Sequence, residues 1–379
     1  MRSRFLVGQF NAALARTTAL VLGLIMCSVG AGFSASVQEK ATFITIDPPG
    51  SISTYAQSIN PSGEVVGGFL DANNIFHGYV RAFDGTFTQI DAPGAGTGQY
   101  QGTVATTINA EADIAGAYLD ASYVNHGFLR ARDGSIKPFD APGGGTNSIW
   151  GTSLNITPAE KVVGTYFDAS TVYHGFIRAR DGALTSFDAP NAGTGSGQGT
   201  FPSGNDAVSP AGEIVGDYLD ASNVYHGFLR APDGVFTTFD VPGAGTGSSQ
   251  GTEIGGIDPA GTITGTYTDD ANVSHGFVGT RDGCITTFDV QGAGTGSGQG
   301  TSAQNISVVG VITGWSLDAS NVYHGFVRDR SGAITTFDAP GAGTGEFEGT
   351  QPGPANPAGV ITGWYYDDSF TSHGFLRIP

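Results

Sequence analysis

Seven histidines recur along the chain at nearly constant intervals, and glycine follows each of them. Successive histidines are separated by 49, 48, 52, 49, 49 and 49 residues. An aspartate lies six residues before every histidine, so each copy of the repeat holds a carboxyl and an imidazole. These side chains perform general acid–base catalysis, and aspartates also bind calcium. The seven pairs are Asp71 and His77, Asp120 and His126, Asp168 and His174, Asp220 and His226, Asp269 and His275, Asp318 and His324, and Asp367 and His373.

A second aspartate and an arginine complete this polar set. The aspartate lies 14 residues after six of the histidines, and Asp47 provides a further copy near the start of the chain. Arginine lies four residues after each histidine except His275, where the residue is Gly279. A catalytic site needs one asymmetric arrangement, whereas this set is copied seven times. We therefore interpret it as a structural network and expect no catalytic residue and no cofactor in it. Calcium stays an alternative, although no loop has the alternating aspartates of a dedicated calcium site.

The residues around the polar set predict four short strands per repeat. In the copy from Gly102 to Asp140 these cover residues 103–108, 113–119 and 124–130, with a fourth strand ending at 139–140. Tight turns separate them, such as Asn60-Pro61-Ser62-Gly63 in another copy and Asp133-Gly134 in this one. In a meander of antiparallel strands, the ends of strands two and four lie at the same edge as the start of strand three. The pattern thus predicts that Asp120, His126 and Asp140 lie together.

A sequence period near 49 residues is typical of propellers, solenoids or arrays. Four antiparallel strands with three tight turns form one propeller blade. We therefore predict an all-β chain in which residues 41–379 form a seven-bladed β-propeller of four-stranded antiparallel blades. Residues 43–47 copy strand four and residues 373–377 copy strand three, so the N-terminal strand is predicted to complete the last blade and close the ring. A parallel β-helix is the competing fold.

Residues 1–36 have the pattern of a bacterial export signal. Arg2, Arg4 and Arg16 form a basic leader, and an uncharged run covers residues 18–33. Small residues suit cleavage after Ser36 or after Ala31. An uncleaved membrane anchor and a lipoprotein signal are the alternatives, and no later segment is apolar enough to span a bilayer. The leader predicts a secreted, extracellular or periplasmic protein.

The charge of the chain excludes one class of partner. The net charge of −18 becomes −21 when the three arginines of residues 1–36 are removed. Nucleic-acid binding requires lysines and arginines that neutralise phosphates, so we expect no nucleic-acid partner. The remaining expectations are a monomer and either a polysaccharide or a surface protein as partner.

The His-Gly-Phe core, as at 126–128, and the Asp-Ala-Pro-Gly segment, as at 140–143, resemble the bacterial extracellular repeats known as the HAF family. The resemblance covers residues 41–379. It implies secretion and a repeat fold, and it implies no particular activity. The chain departs from the pattern behind the family name by carrying glycine where that name has alanine.

A functional site is expected where the copies differ. The longest interval between histidines carries extra residues at 201–206, which predicts a larger loop or channel lining in one blade. The tryptophans Trp150, Trp315 and Trp364 are also off the pattern; they are candidates for stacking on sugar rings, and packing between blades is the alternative. No pair of acids stands out from the repeat. We therefore predict a non-catalytic binding or structural module, with a carbohydrate-active hydrolase or lyase acting at the channel mouth as the alternative.

Overall fold

The computed structural model describes residues 41–142, 148–149, 154–157, 161–202 and 206–379, and every regular element in these ranges is a β-strand. The predicted all-β class is therefore confirmed. No helix long and apolar enough to cross a membrane occurs in these ranges. The predicted leader at residues 1–36 and Trp150 lie outside the described residues.

The strands are short, and most contain four to seven residues. In chain order they are β1 (Thr42–Ile46), β2 (Ser53–Ile59), β3 (Val65–Leu70), β4 (Phe76–Arg81), β5 (Phe87–Ile90), β6 (Gly102–Ile108), β7 (Ile114–Leu119), β8 (Asn125–Arg130), β9 (Ile136–Phe139), β10 (Ser148–Ile149), β11 (Asn155–Ile156), β12 (Val162–Phe167), β13 (Tyr173–Arg178), β14 (Leu184–Phe187) and β15 (Gly199–Pro202). They continue with β16 (Ile214–Leu219), β17 (Tyr225–Arg230), β18 (Phe236–Phe239), β19 (Gly251–Ile257), β20 (Ile263–Thr268), β21 (Ser274–Gly279), β22 (Ile285–Phe288), β23 (Gly300–Ile306), β24 (Ile312–Leu317), β25 (Tyr323–Arg328), β26 (Ile334–Phe337), β27 (Gly349–Ala355), β28 (Ile361–Tyr366) and β29 (Ser372–Ile378).

Antiparallel pairing divides the described strands into seven consecutive units. In each unit the second strand pairs with the first and the third, and the third also pairs with the fourth. In unit 3 both β10 and β11 pair with β12. The units are unit 1 (β2–β5), unit 2 (β6–β9), unit 3 (β10–β14), unit 4 (β15–β18), unit 5 (β19–β22), unit 6 (β23–β26) and unit 7 (β27–β29 with β1).

The strand bounds agree with the sequence prediction to about one residue. Unit 2 has strands at Gly102–Ile108, Ile114–Leu119 and Asn125–Arg130, where the sequence predicts 103–108, 113–119 and 124–130. Gly134 has a φ of 90° in the turn before the fourth strand. Only glycine adopts such an angle readily, which is why the Asp-Gly pair predicts this turn.

The histidine–glycine pair has a packing reason as well. A Cβ atom placed on Gly127 would lie 2.3 Å from Cζ of Phe139 in the neighbouring strand, so no larger side chain fits there. The next residue, Phe128, is fully buried, as are the aromatic residues at the same position in the other units. Glycine therefore lets the fourth strand's ring lie directly against the third strand.

The hydrophobic core consists of clusters at the boundaries between consecutive units. One cluster joins Val215 of unit 4 to Ile254 and Phe277 of unit 5, and similar clusters lie at the other boundaries. The first and last units also share a cluster, in which Ile46 and Leu376 pack with residues of unit 1. Each unit therefore buries its apolar side chains against both of its neighbours.

Strand β1 pairs antiparallel with β29, from Thr42 opposite Ile378 to Ile46 opposite Gly374. The chain's first described strand is thus the fourth strand of unit 7, as the sequence predicts. In β27 the register is irregular between Pro352 and Ala355, and the first strands of units 1, 2, 5 and 6 have an irregularity at the equivalent place, so it belongs to the repeat and tolerates Pro352 and Pro354 there.

Candidate functional site

The structure brings together the repeated aspartates and histidines. Each histidine Nδ1 lies 2.6–3.0 Å from the aspartate that ends the fourth strand of its unit. Each Nε2 lies 3.4–3.8 Å from the aspartate six residues earlier. The Nδ1 partners are Asp91 for His77, Asp140 for His126, Asp188 for His174, Asp240 for His226, Asp289 for His275, Asp338 for His324 and Asp47 for His373.

The aspartate before each histidine also closes the turn between the second and third strands. Oδ1 of Asp120 accepts hydrogen bonds from the N–H of Ser122 at 2.8 Å and of Val124 at 2.9 Å. The Val124 N–H is the main cause that lowers the pKa of Asp120, and Ser122 and His126 lower that pKa further. Every unit has the same two hydrogen bonds. An ionised carboxylate therefore joins this turn to the imidazole.

An aromatic ring covers one face of most of these imidazoles. In five units a tyrosine ring stacks on the histidine at 4.9–5.2 Å between centroids, as Tyr118 does on His126. Unit 6 has Ser316 in place of the tyrosine, and the side chain of His324 is 35% exposed there. The other histidine side chains are 19–26% exposed. The two aspartates are thus arranged around each imidazole in the same way, whereas the aromatic cover differs in units 1 and 6.

Four of the six repeated arginines connect neighbouring units. The guanidinium of Arg178 in unit 3 lies 5.1 Å from the ring centroid of Phe139 in unit 2, within the range of a cation–π contact. Arg230, Arg328 and Arg377 make the same contact with the preceding unit, at 4.8–5.1 Å. The arginines therefore lie between units, and they do not converge on one site.

The copies differ at two positions that meet at the boundaries between units. One is nine residues before each histidine, and the other is the third residue of the first strand in the following unit. At the boundary of units 5 and 6 these are Thr266 and Ser302, whose hydroxyl oxygens are 3.3 Å apart. The N–H of Ala303 donates to Thr266 Oγ1 at 3.1 Å.

The preceding boundary, between units 4 and 5, holds two carboxyl groups at the same positions. They belong to Asp217 and Glu253, and the N–H of Ile254 donates to Asp217 Oδ1 at 3.3 Å. The prediction that no pair of acids stands out from the repeat is therefore wrong. The sequence contains a signal for it, because Asp217 is the one acid among the seven residues that lie nine before a histidine. These residues are Gly68, Ala117, Thr165, Asp217, Thr266, Trp315 and Trp364. Pairing Asp217 with Glu253 also requires knowing that adjacent units meet at these two positions.

A cavity of about 690 Å³ opens at this boundary and extends over units 3 to 6. The rings of Tyr173 and Phe201 in its wall are 4.7 Å apart between centroids. Phe201 belongs to the longest interval between histidines, where the sequence predicts an enlarged loop or channel lining. Its wall includes the side chains of Tyr173, Phe201, Asp217, Tyr225, Glu253 and Gln304.

Burial governs the titration of the groups in this cavity. It raises the pKa of Asp217 well above its usual range, and the negative charge of Glu253 raises that pKa further. Burial also raises the pKa of Glu253. Tyr225 has a pKa raised to about 12 by burial and by the charges of Glu253 and Asp217. These groups are close enough to influence one another, and burial shifts each of them toward its neutral form.

Asp206, in the same long interval, connects unit 4 to the two units that follow. Its carbonyl oxygen accepts a hydrogen bond from Ile257 of unit 5 at 2.9 Å, and its Oδ2 accepts one from Ile306 of unit 6 at 3.2 Å. Burial raises the pKa of Asp206 to about 7, although the Ile306 N–H acts in the opposite direction. The sequence placed the extra residues in a single blade, whereas the structure shows that they also contact units 5 and 6.

Two of the three predicted tryptophans can be placed. The ring of Trp364 lies 5.8 Å from Tyr55 of unit 1, and the ring of Trp315 lies 6.2 Å from Tyr323 of its own unit. Both tryptophans are half-buried, and neither lines the cavity described above. In the described ranges, no group of three or more His, Cys, Asp or Glu side chains is arranged to hold a metal ion.

No family model and no curated protein sequence matches the chain. Solved structures of low similarity include a puromycin hydrolase, at 12% identity and a TM-score of 0.47, and Trypanosoma rangeli sialidase in complex with sialic acid, at 10% and 0.42. The matches cover 86% and 85% of this chain, which spans only 55% and 60% of those two proteins. The Aleuria aurantia lectin AAL is 13% identical with a TM-score of 0.37, and the match covers 88% of this chain and 98% of the lectin.

Proposed function

We propose that the seven units are the blades of a β-propeller and that β1 closes the ring. The pairing of β1 with β29 supports closure, since it supplies unit 7 with its fourth strand. Contacts between units 1 and 7 support it too, including the cluster around Ile46 and the hydrogen bond between Ser53 and Ser372. Strand β1 covers the edge of β29 that would otherwise be open to pairing with other chains, which favours a monomer.

We further propose that the chain is exported and belongs to the HAF-repeat proteins. The basic leader and the uncharged run at residues 18–33 support export, and the repeated His-Gly-Phe core supports the family. N-terminal sequencing of the protein recovered outside the cytoplasm should begin after Ser36 or Ala31. A chain that retains residue 2 and stays inside the cell would contradict export.

For function, we propose a non-catalytic binding module whose ligand site is the cavity between units 3 and 6. One observation carries this proposal: at one boundary the two variable positions hold two carboxyl groups, in a cavity walled by aromatic rings. Ligand sites are concave, apolar over most of their surface, and contain a few convergent polar groups. A volume of about 690 Å³ suits a ligand the size of a short oligosaccharide. Aromatic faces pack against the C–H surface of sugars, and carboxyl oxygens accept their hydroxyl hydrogens.

A glycan panel tests this proposal. The purified protein should bind one class of glycan saturably, both with calcium and with a chelator. Phe201→Ala or Tyr225→Ala should weaken binding at least tenfold, because each removes an aromatic wall of the cavity. Phe83→Ala is the control, since that ring is 81% exposed and lies outside the cavity wall. If Phe201→Ala and Tyr225→Ala both fold and bind as the wild type does, the ligand site lies elsewhere.

The pair of acids also favours a second function, hydrolysis of a glycosidic bond. Glycosidases use two carboxyl groups, one of which stays protonated and acts as the general acid. The raised pKa values of Asp217 and Glu253 suit that role. Incubation with each bound glycan should release reducing ends if the site is catalytic, and Asp217→Asn should abolish the release. Saturable binding without any product supports the module over the enzyme.

A further inference from the structure

The cavity walls have a one-sided charge, and this bears on the ligand if the cavity is the binding site proposed above. Two wall residues are acids, and no wall residue that the structure describes is a lysine, arginine or histidine. Three wall side chains, Tyr173, Phe201 and Tyr225, carry aromatic rings. An aromatic ring has a negative face, which attracts cations. Rings and carboxyls together therefore provide negative potential from several sides.

The two carboxyl groups have hydrogen-bonding capacity left over. Asp217 is 9% exposed, and among the described residues its carboxylate receives a hydrogen bond only from the Ile254 N–H, at Oδ1. In those same ranges, no donor lies within hydrogen-bonding distance of the Glu253 carboxyl. Both residues line the cavity. The second oxygen of Asp217 and the carboxyl of Glu253 are therefore able to accept hydrogen bonds from a ligand there.

Packing of the scaffold does not require these acids. The next boundary has Thr266 and Ser302 at the same two positions, and there the Ala303 N–H donates to Thr266 as the Ile254 N–H does to Asp217. The fold thus accepts a neutral hydroxyl pair at this place. The acid pair costs folding free energy, because burial disfavours the charged forms of both groups. A cost without a structural benefit indicates a role in binding.

We propose that this cavity binds an organic ammonium ion, with its N–H groups on Asp217 and Glu253 and its carbon skeleton against the three rings. A protonated primary amine has three N–H donors for the free carboxyl oxygens and no acceptor that would need a donor from the wall. Its positive charge suits the negative potential of the acids and the rings. A carboxylated or sulfated sugar is repelled by the same wall, and a neutral sugar supplies donors without charge. Amino sugars with a free amine and linear polyamines both carry this group.

Protons compete with such a ligand. Because burial raises the pKa of both carboxyl groups, bringing an ammonium beside them favours ionisation and releases protons. The other titratable groups in the wall are Tyr225 and Tyr173. Burial raises the pKa of Tyr225 to about 12 and also raises the pKa of Tyr173, so both stay neutral between pH 5 and pH 8. Affinity for spermidine, whose terminal amines stay protonated throughout this range, should therefore fall as the pH is lowered from 8 to 5.

The test is calorimetric titration of the full protein with matched ligands. The amine arms are a fully deacetylated glucosamine tetramer and spermidine, which distinguish amino sugars from polyamines. The neutral arm is the N-acetylated tetramer, and the acidic arm is a galacturonate tetramer. At pH 6.5, where the amines of the glucosamine tetramer are largely protonated, we expect at least one amine to bind tenfold or more tightly than the neutral and acidic tetramers. Protons released on binding should make the measured binding enthalpy depend on the ionisation enthalpy of the buffer.

Substitution of the two cavity acids tests whether they bind the amine. Asp217→Thr with Glu253→Ser copies the pair at the next boundary and should reduce amine affinity at least tenfold while leaving the melting temperature equal or higher. Glu111→Gln removes one exposed acid outside the cavity and controls for net charge. Asp217→Asn alone serves as the second variant if the double variant does not fold.

The outcomes separate the two proposals. Equal binding of the acetylated tetramer, insensitive to Asp217→Thr with Glu253→Ser but lost with Phe201→Ala, overturns the ammonium site and leaves the ligand cavity standing. Equal binding of the galacturonate tetramer, with the same response to these variants, also overturns the ammonium site and leaves the ligand cavity standing. If no arm of the titration and no glycan of the panel binds, both proposals fail.

Discussion

Asp206 has a buried carboxyl whose raised pKa changes how the protein responds to pH. Burial raises its pKa to about 7, above the unfolded value near 4. A folded pKa above the unfolded one lowers stability between those two pH values, and the full cost persists above pH 7. Asp206→Asn removes the charge and retains an oxygen that is able to accept from Ile306. We expect it to raise the free energy of unfolding at pH 8 by on the order of 1–2 kcal/mol and to have no effect near pH 4.

Urea unfolding of the wild type and Asp206→Asn at both pH values measures this difference. A smaller stabilisation at pH 8 than at pH 4 would contradict the assigned burial. Asp233→Asn is a suitable control, because that carboxyl lies in an exposed hairpin turn.

The histidines provide a second residue-scale test, since their repetition favours a structural role. His126→Ala removes the hydrogen bond to Asp140 in a unit that contributes no residue to the cavity wall. We expect a loss of about 1 kcal/mol in the free energy of unfolding, typical of one hydrogen bond. Ligand binding at the cavity should be unchanged. A variant of wild-type stability that has lost binding would show that the histidines act on the ligand.

At the scale of the elements, the contact between neighbouring units suggests a stabilising substitution. Four described arginines lie over a phenylalanine of the preceding unit, but unit 5 has Gly279 at this position. A Cβ on Gly279 has no atom closer than 3.9 Å, and its backbone has no positive φ. Gly279→Arg should raise the free energy of unfolding by about 0.5–1 kcal/mol through contact with the ring of Phe239.

Gly279→Gln is the matched control, because it has a comparable chain without the charge. Thermal unfolding of both variants isolates the cation–π contribution. Equal stability of the two variants would mean that chain length and strand propensity, and not the guanidinium, produce the gain.

The turns between the second and third strands determine a response to acid. Backbone N–H groups lower the pKa of the turn aspartates, as for Asp120, Asp168 and Asp269. A folded pKa below the unfolded one adds stability above pH 4, and that stability is lost as the pH falls through the folded value. The urea midpoint should therefore fall steadily below pH 4. Asp120→Asn keeps an acceptor for the turn but does not titrate, so it should make this fall shallower; an unchanged slope would contradict the assignment.

On the scale of the whole molecule, the attachment of β1 to unit 7 should dominate stability. Ile46 is fully buried in the cluster that joins units 7 and 1. Ile46→Ala should reduce the free energy of unfolding by about 2–5 kcal/mol, the range for a buried isoleucine. Ile52→Ala is the control, because Ile52 lies just before β2 and is 46% exposed. Similar effects of the two substitutions in thermal unfolding would show that β1 does not hold the ends of the chain together.

The sequence by itself determined the repeat, the strands within each unit and the meeting of Asp120, His126 and Asp140. Turn residues and strand alternation act over a few residues, so local physics carries that information. Only the tertiary structure decided that Asp217 and Glu253 occupy one cavity and that Asp206 reaches the first strands of units 5 and 6. Those contacts join different units, and they depend on how the units stack. The sequence pattern of a single repeat does not predict how the units stack.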